Sequence, residues 1–291
     1  MGFIMSRMTR IIFSCRSELA HQEKSPVREQ ARSYRMGGES GFTLIELITV
    51  ILLLGIIGVM GSELITTSFK GFAETDATME LYEEGKLALM RMEREVHHMV
   101  PNAIDTSSTT TINFGVIDAN ALSANNLAGQ YQTVGTTTKV RDLSTNTLPL
   151  NSYISIYNTR WPDFSSTSNR KVYQITQIVG NNMGLGTVVI GSHSATKRYY
   201  PVQGVVRYAY DNTSGIVSRS QATVTTSNDL TAALDSATAY PLLTNIQPGS
   251  LSFTYTPASL TRNAMVRVNF SLERNGISLD FHKEIQVRNV P

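Results

Sequence analysis

The chain is almost without cysteine. It has one in 291 residues, Cys15, which lies before residue 41. Beyond that point there is no thiolate ligand, catalytic cysteine or intrachain disulfide, so the fold depends on its core alone. Charge is also scarce, at 16% of residues, and it is divided unevenly. Residues 1–41 hold Arg7, Arg10, Arg16, Lys24, Arg28, Arg32 and Arg35 against Glu18, Glu23, Glu29 and Glu39, seven minus four, or +3. Taking that from the formal +2 of the whole chain leaves −1 for residues 42–291. The basic character therefore belongs to the N-terminal segment, and the remainder has no electrostatic footprint for nucleic acid.

Catalytic signatures are missing too. There is no G-x-S-x-G, no H-E-x-x-H, no phosphate-binding glycine loop and no dinucleotide fingerprint. The expectation is a protein that is not an enzyme and needs no cofactor or metal. His97 and His98 are adjacent on a helical pattern and point about 100° apart, a poor metal pair. His193 and His282 stand without an acid pattern beside them. "DNTSG" (211–215) and "SNDLTAALD" (227–235) contain oxygen ligands but lack the spacing of a calcium loop. Trp161 and the Tyr199-Tyr200 pair could stack on a sugar, but burial in a core is the stronger expectation for them.

What the chain does have is one long greasy segment. Phe42 to Ser62 is 21 residues with Glu46 as the only charge, long enough to cross roughly 30 Å of hydrocarbon as a helix. Basic residues precede it and Glu63 follows, so the positive-inside rule puts residue 41 in the cytoplasm and the bulk of the chain outside. No A-x-A-like site closes the segment, as a secretory signal would require. A carboxylate at depth costs about 2.5–3.5 kcal/mol on insertion scales and implies a partner. No Lys or Arg lies within one turn of Glu46. A free amine at Phe42, created by cleavage after Gly41, would serve. At about 4 Å and an effective dielectric of about 20 the pair is worth roughly 4 kcal/mol. Within one helix the geometry is poor, whereas a neighbouring helix shifted along its axis brings amine and carboxylate together.

Gly41 followed by Phe42-Thr43-Leu44-Ile45-Glu46-Leu47 resembles the prepilin peptidase site of type IV pilins and type II secretion pseudopilins. The resemblance implies cleavage after Gly41, N-methylation of Phe42, and pairing of Glu46 with the Phe42 amine of an adjacent subunit. Residues 1–41 would then be a removable leader, long for the family, with Met36 as an alternative start. The implied partners are the peptidase, the inner membrane with its assembly platform, a major pilin and other minor pilins.

Past Ser62 a helical pattern continues through Phe72, Thr75, Met79, Tyr82, Leu89, Met92, Val96 and Met99, with Glu80, Glu83, Glu84, Arg91, Arg94 and Glu95 on the remaining surface. Pro101 should end it. Gly55, Gly58, Gly61, Gly71 and Gly85 weaken this helix by about 1 kcal/mol each relative to Ala. They allow close helix approach, or are simply tolerated facing lipid. Beyond Thr106 the signals turn to strand: "TINFGVI", "YISIYN", "KVYQITQIV", "GTVVIG", and two strands around a turn at Asp211–Gly215. Residues 221–249 read as a long loop with one helical turn at Leu230–Leu234. The clearest hairpin flanks Asn275-Gly276, with Val266, Val268, Phe270 and Leu272 before it and Ile277, Leu279, Phe281, Ile285 and Val287 after. Lys283 falls on the apolar side, as a core edge or a bulge would place it.

The reading is an α+β chain in four parts: a leader (1–41), the transmembrane half of a long helix (42–62), its amphipathic half (63–100) packed on a sheet, and a β-rich domain outside the membrane (101–291). That order is similar to the pilin architecture. "LMRMEREVHHMVPNAI" (89–104) and residues 260–291 narrow the resemblance to minor pilins of mannose-sensitive haemagglutinin pili. The expected role is a fibre subunit that primes or caps assembly. The alternatives are a J-type pseudopilin of type II secretion and a tip adhesin whose β-domain binds a glycan.

Overall fold

The computed structural model describes residues 41–122, 127–143, 148–168, 170–187, 189, 196–259 and 262–287. Residues 1–40, with Cys15 and Met36, lie outside the described residues, as does His193. Among the described residues one long helix, α1 (Leu44–His97), is followed by thirteen strands and two short helices. The chain divides into two compact units between Met60 and Gly61.

In the first unit, every residue from Gly41 to Met60 is exposed. α1 contains a stretch of mean hydropathy 2.6 with none of it buried, long and apolar enough to cross a membrane. Hydrocarbon is the solvent in which such a surface costs nothing.

In the second unit, α1 buries Ala77, Leu81, Gly85, Ala88, Met92 and Val96. The second half of the stripe read from the sequence is on this face, with Met92, Val96 and Met99 buried and Leu89 packed against the core, but the first half is not. Phe72, Met79 and Tyr82 are exposed, while the small residues Ala77, Gly85 and Ala88 face inward. Close packing selects that face: a Cβ on Gly85 would lie 2.3 Å from the Phe281 ring. Gly85 is therefore a contact requirement, whereas added Cβ atoms at Gly55, Gly58, Gly61 and Gly71 would meet nothing within 4 Å. The helix also stops short of Pro101. It ends at His97, and Met99–Asp105 forms strand β1.

Strands β11 (Ser252–Thr256), β12 (Met265–Arg274) and β13 (Ile277–Gln286) make a three-stranded antiparallel sheet. Its register holds from Met265↔Gln286 to Arg274↔Ile277 without a bulge. Asn275 and Gly276 both have positive φ, 54° and 79°, as a two-residue turn of this twist requires. Lys283 thus marks no bulge. It faces α1 and pairs with Glu93 at 3.0 Å. Val266, Val268, Phe270 and Leu272 join Leu81, Ala88, Met92 and Val96 in one core with Phe114 and Tyr208.

Tyr208 belongs to β8 (Arg198–Asp211), the long strand that organises the larger sheet. β2 (Thr111–Ile117) pairs with one edge of β8 and β9 (Ile216–Ala222) with the other, while β1 and β10 (Ala239–Leu243) lie outside them. The first half of β8 also pairs with β3 (Gly129–Val134) and β5 (Tyr153–Ser155). From there β3 meets β4 (Thr136–Asp142), β4 meets β7 (Asn182–Leu185), β7 meets β6 (Val172–Val179), and β6 returns to β5. These six strands close a ring, which removes free edges, around Tyr131, Val140, Ile154, Tyr173, Ile175 and Tyr199.

The other face of the larger sheet carries α2 (Trp161–Ser165) and α3 (Leu230–Asp235). Asp229 caps α3, accepting from Thr231 N at 2.9 Å and Ala232 N at 3.0 Å. In the loop at α2, Asp163 accepts from Thr159 Oγ1 at 2.6 Å, Thr159 N at 3.1 Å and Lys171 Nζ at 2.9 Å. Burial acts to raise the Asp163 pKa, but the bonds from Thr159 and Lys171 outweigh it and hold it at about 2. A carboxylate depressed on folding stabilises the fold above its unfolded pKa and loses that contribution as pH falls through the folded one. The melting temperature is expected to fall from pH 4 to pH 2 by more in the parent than in Asp163→Asn. Equal falls in a thermal melt series would refute this.

Candidate functional site

Gly41 and Phe42 precede the first residue of α1, and Phe42 is 77% exposed. Gly41 is exposed as well. Thr43 starts the helix: its carbonyl accepts from Glu46 N at 3.0 Å and its hydroxyl lies 3.4 Å from the same N–H. Thr43-x-x-Glu46 therefore has the spacing of a capping box, a signal legible in the sequence that the charge argument alone overlooks, but only the Thr43 half of the box is made. A carboxylate in the first turn also faces the positive end of the helix dipole. Among the described residues the Glu46 carboxylate has no hydrogen-bond or ion-pair partner. The bonds that begin the helix thus come from the Glu46 backbone N–H and leave its carboxylate without a charged partner.

The acids further along α1 have a different task. Glu80 pairs with Arg274 at 2.5 Å. Glu84 accepts from Thr244 N at 2.7 Å and from Thr244 Oγ1 at 2.6 Å. Glu95 accepts from Arg219 Nε at 3.0 Å on both oxygens and also from the Tyr208 hydroxyl. At the end, His97 Nδ1 lies 3.1 Å from the Gln286 carbonyl. Glu84 and Glu95, assigned to the solvent side in the sequence reading, are half-buried. Together these contacts clamp the helix to both sheets in a single register.

The opposite face of α1 is uncovered. Ile65, Phe69, Phe72, Met79, Leu87 and Met90 are 58%, 70%, 73%, 59%, 67% and 56% exposed. With Asp76, Glu83 and Arg94 they recur at steps of three and four, which on a helix is one stripe. Apolar side chains at such spacing with nothing over them mark a surface made for contact.

The remaining candidates dissolve on inspection of their contacts. Trp161, Tyr199 and Tyr200 are buried, and Trp161 Nε1 donates to Thr231 Oγ1 at 3.1 Å; they offer no stacking surface to a sugar. His98 bonds the Arg94 carbonyl through Nδ1 at 2.7 Å, and His282 is held by Asn269. Asp211 is engaged by Thr213 N at 2.9 Å and Ser214 Oγ at 2.7 Å, a local turn. Among the described residues no three or more His, Cys, Asp or Glu are placed to hold a metal.

Compared with known proteins, the chain matches no family model, no curated protein and no solved structure.

Proposed function

We propose that the chain is a minor subunit of a type IV pilus, similar to the minor pilin MshO of the mannose-sensitive haemagglutinin pilus. In this reading the peptidase cuts between Gly41 and Phe42, Phe42 is N-methylated, and the subunit waits in the inner membrane with its β-domain outside. It then joins the major pilin and other minor pilins through α1, where it primes or caps the fibre. The observation that carries the reading is α1 itself. It starts beside an exposed Gly41-Phe42 junction, bears a carboxylate without an ion-pair partner in its first turn, and keeps an apolar stripe uncovered opposite the face that binds the β-domain.

A protein that worked alone in water would cover that stripe, since contiguous apolar surface of this kind drives association. A J-type pseudopilin uses the same helix logic, so the host system decides between the two. A tip adhesin would have to bind its ligand without Trp161, Tyr199 or Tyr200, which are buried.

Two measurements test the proposal. Mass spectrometry of the membrane-extracted mature chain should place its N-terminus at N-methylated Phe42. Deleting the gene should reduce surface fibres while the major pilin is still made. A mature chain beginning elsewhere, or unchanged fibres in the deletion strain, would overturn it.

A further inference from the structure

A cavity of about 300 Å³ lies between the last turn of α1, the turn that follows β2, and the neighbouring strands β8 and β9. That volume is at the lower end of small-molecule sites. Its floor is apolar, made of the buried Val116, Ile117 and Val206. The charges around it fall into two groups. Glu95 and Arg219 are committed to each other at 3.0 Å, and Arg219 Nη2 also donates to Gln221 Oε1 at 2.9 Å. Arg94 and Asp118 are not committed. Both line the cavity, yet neither forms an ion pair with the other or with any of the described residues.

Each of the two is prepared for a ligand. Asp118 Oδ1 accepts from Asn120 N at 3.0 Å, which fixes the carboxylate and leaves Oδ2 without a partner among the described residues. The Arg94 guanidinium keeps its planar fork, the geometry that holds a carboxylate through two parallel bonds. His98 bonds the Arg94 carbonyl through Nδ1 at 2.7 Å, so that nitrogen carries the proton and Nε2 of the neutral ring is an acceptor. A ligand of one sign fits badly here: an anion on Arg94 meets Asp118, and a cation on Asp118 meets Arg94. An apolar ligand would strip water from both charges and return nothing. A molecule carrying both signs satisfies both.

We propose that this cavity binds a small zwitterion, a free amino acid or dipeptide, with its carboxylate on Arg94, its ammonium on Asp118 and an aliphatic side chain on the floor. Neither Phe42 nor Glu46 takes part, so the site stands whether or not the chain is a fibre subunit.

The test is calorimetric titration of the full chain, solubilised in detergent, at neutral pH. Glycyl-valine and valine are the probes, each beside its C-terminal amide and its N-acetyl form, which lack one charge apiece. Either single-charge form should bind at least about tenfold more weakly than its parent probe, the scale of one charge-assisted hydrogen bond. Arg94→Gln should weaken the zwitterion and the N-acetyl form but not the amide. Asp118→Asn, which keeps an acceptor for Asn120 N, should weaken the zwitterion and the amide but not the N-acetyl form. Both variants should melt with the parent when no ligand is present. Binding of either probe in this reciprocal pattern supports the proposal, and the tighter of the two gives the spacing of the charges.

Absence of binding by both probes at about 1 mM, or single-charge forms that bind as tightly as their parent probes, would overturn it on the unaltered chain alone. Variants of parent stability that weaken all forms alike would overturn the assignment to Arg94 and Asp118.

Discussion

A chain carrying Glu46→Val should be inserted and trimmed like the parent, yet be at least about tenfold scarcer in sheared fibres than in the membrane, relative to the parent. Neither insertion nor cleavage needs the carboxylate, and removing it saves the roughly 2.5–3.5 kcal/mol that a charge costs at depth. Assembly does need it under the proposed pairing. A Glu–amine pair at about 4 Å is worth roughly 4 kcal/mol at an effective dielectric of about 20, and each tenfold in partition takes about 1.4 kcal/mol. The capping box offers a competing explanation, in which Glu46 matters because it starts the helix. Glu46→Gln separates the two, because Gln serves a capping box as well as Glu does but carries no charge. Fibre incorporation of the Gln variant at the level of the Val variant supports charge pairing. Incorporation of the Gln variant at the parent level would assign Glu46 to helix capping and end the register mechanism.

The largest expected loss of stability follows from Glu95→Ala. The Glu95 and Arg219 side chains are each 14% exposed. Arg219 Nε reaches both carboxylate oxygens at 3.0 Å, and the Tyr208 hydroxyl donates to the same group. Burial, with Glu95 beside it, pushes the Tyr208 pKa far above the ordinary phenol range, so this hydroxyl stays protonated and donates at every accessible pH. Removing the acceptor leaves the Arg219 guanidinium with Gln221 alone, at 2.9 Å, and the buried Tyr208 phenol without its acceptor. Breaking such a pair from one side costs about 3–5 kcal/mol, and the residual exposure puts the expectation near 3 kcal/mol. For a domain of this size that corresponds to roughly 6–12 °C in melting temperature. Tyr208→Phe, which removes one hydrogen bond and leaves the ion pair, should cost about 1 kcal/mol. Thermal denaturation of the solubilised chain measures both. A Glu95→Ala loss no larger than that of Tyr208→Phe would mean that the pair does not hold the helix to the sheet.

Both experiments concern one helix, and the sequence disclosed its two ends unequally. Near Glu46 the relevant physics is local: a charge among apolar neighbours and a Thr three residues before a Glu. Further along, the three-four spacing gave a helix but not its inner face. Two stripes compete there, one of large residues and one of small. The large residues won on hydrophobicity, although Phe72, Met79 and Tyr82 turned out exposed. From Ala77 to Ala88 the small residues won in the fold, because Phe281 needs the space above Gly85, while from Leu89 to Val96 the stripe of large residues is the inner one. Composition could not reveal this, since Phe281 is nearly two hundred positions away.

The strands divide in the same way. β2, β6, β8, β9, β12 and β13 carry alternating or continuous apolar runs and could be read directly. β1 was hidden because its Pro101 looked like punctuation, and β3 and β4 because Thr and Gln dominate them. The "GTVVIG" strand was misplaced. β7 ends at Leu185, while Gly186, Thr187 and Val189 are not in a strand, and the remaining residues of that run lie outside the described ones. β10, within the expected loop of 221–249, exists because β9 offers it an edge.

The sequence by itself settled the elements whose causes sit within a few residues, namely the apolar span and the Asn275-Gly276 hairpin, and it held, unread, the Thr43 signal for the helix start. Backbone stereochemistry and hydrophobic periodicity act over that range. Only the tertiary structure decided which face of α1 is inside, that Glu84 and Glu95 are clamps, that Trp161 and the tyrosine pair are core, and that six central strands close a ring. Those outcomes depend on which side chains from distant segments fill the same space, and that is fixed only when the chain packs.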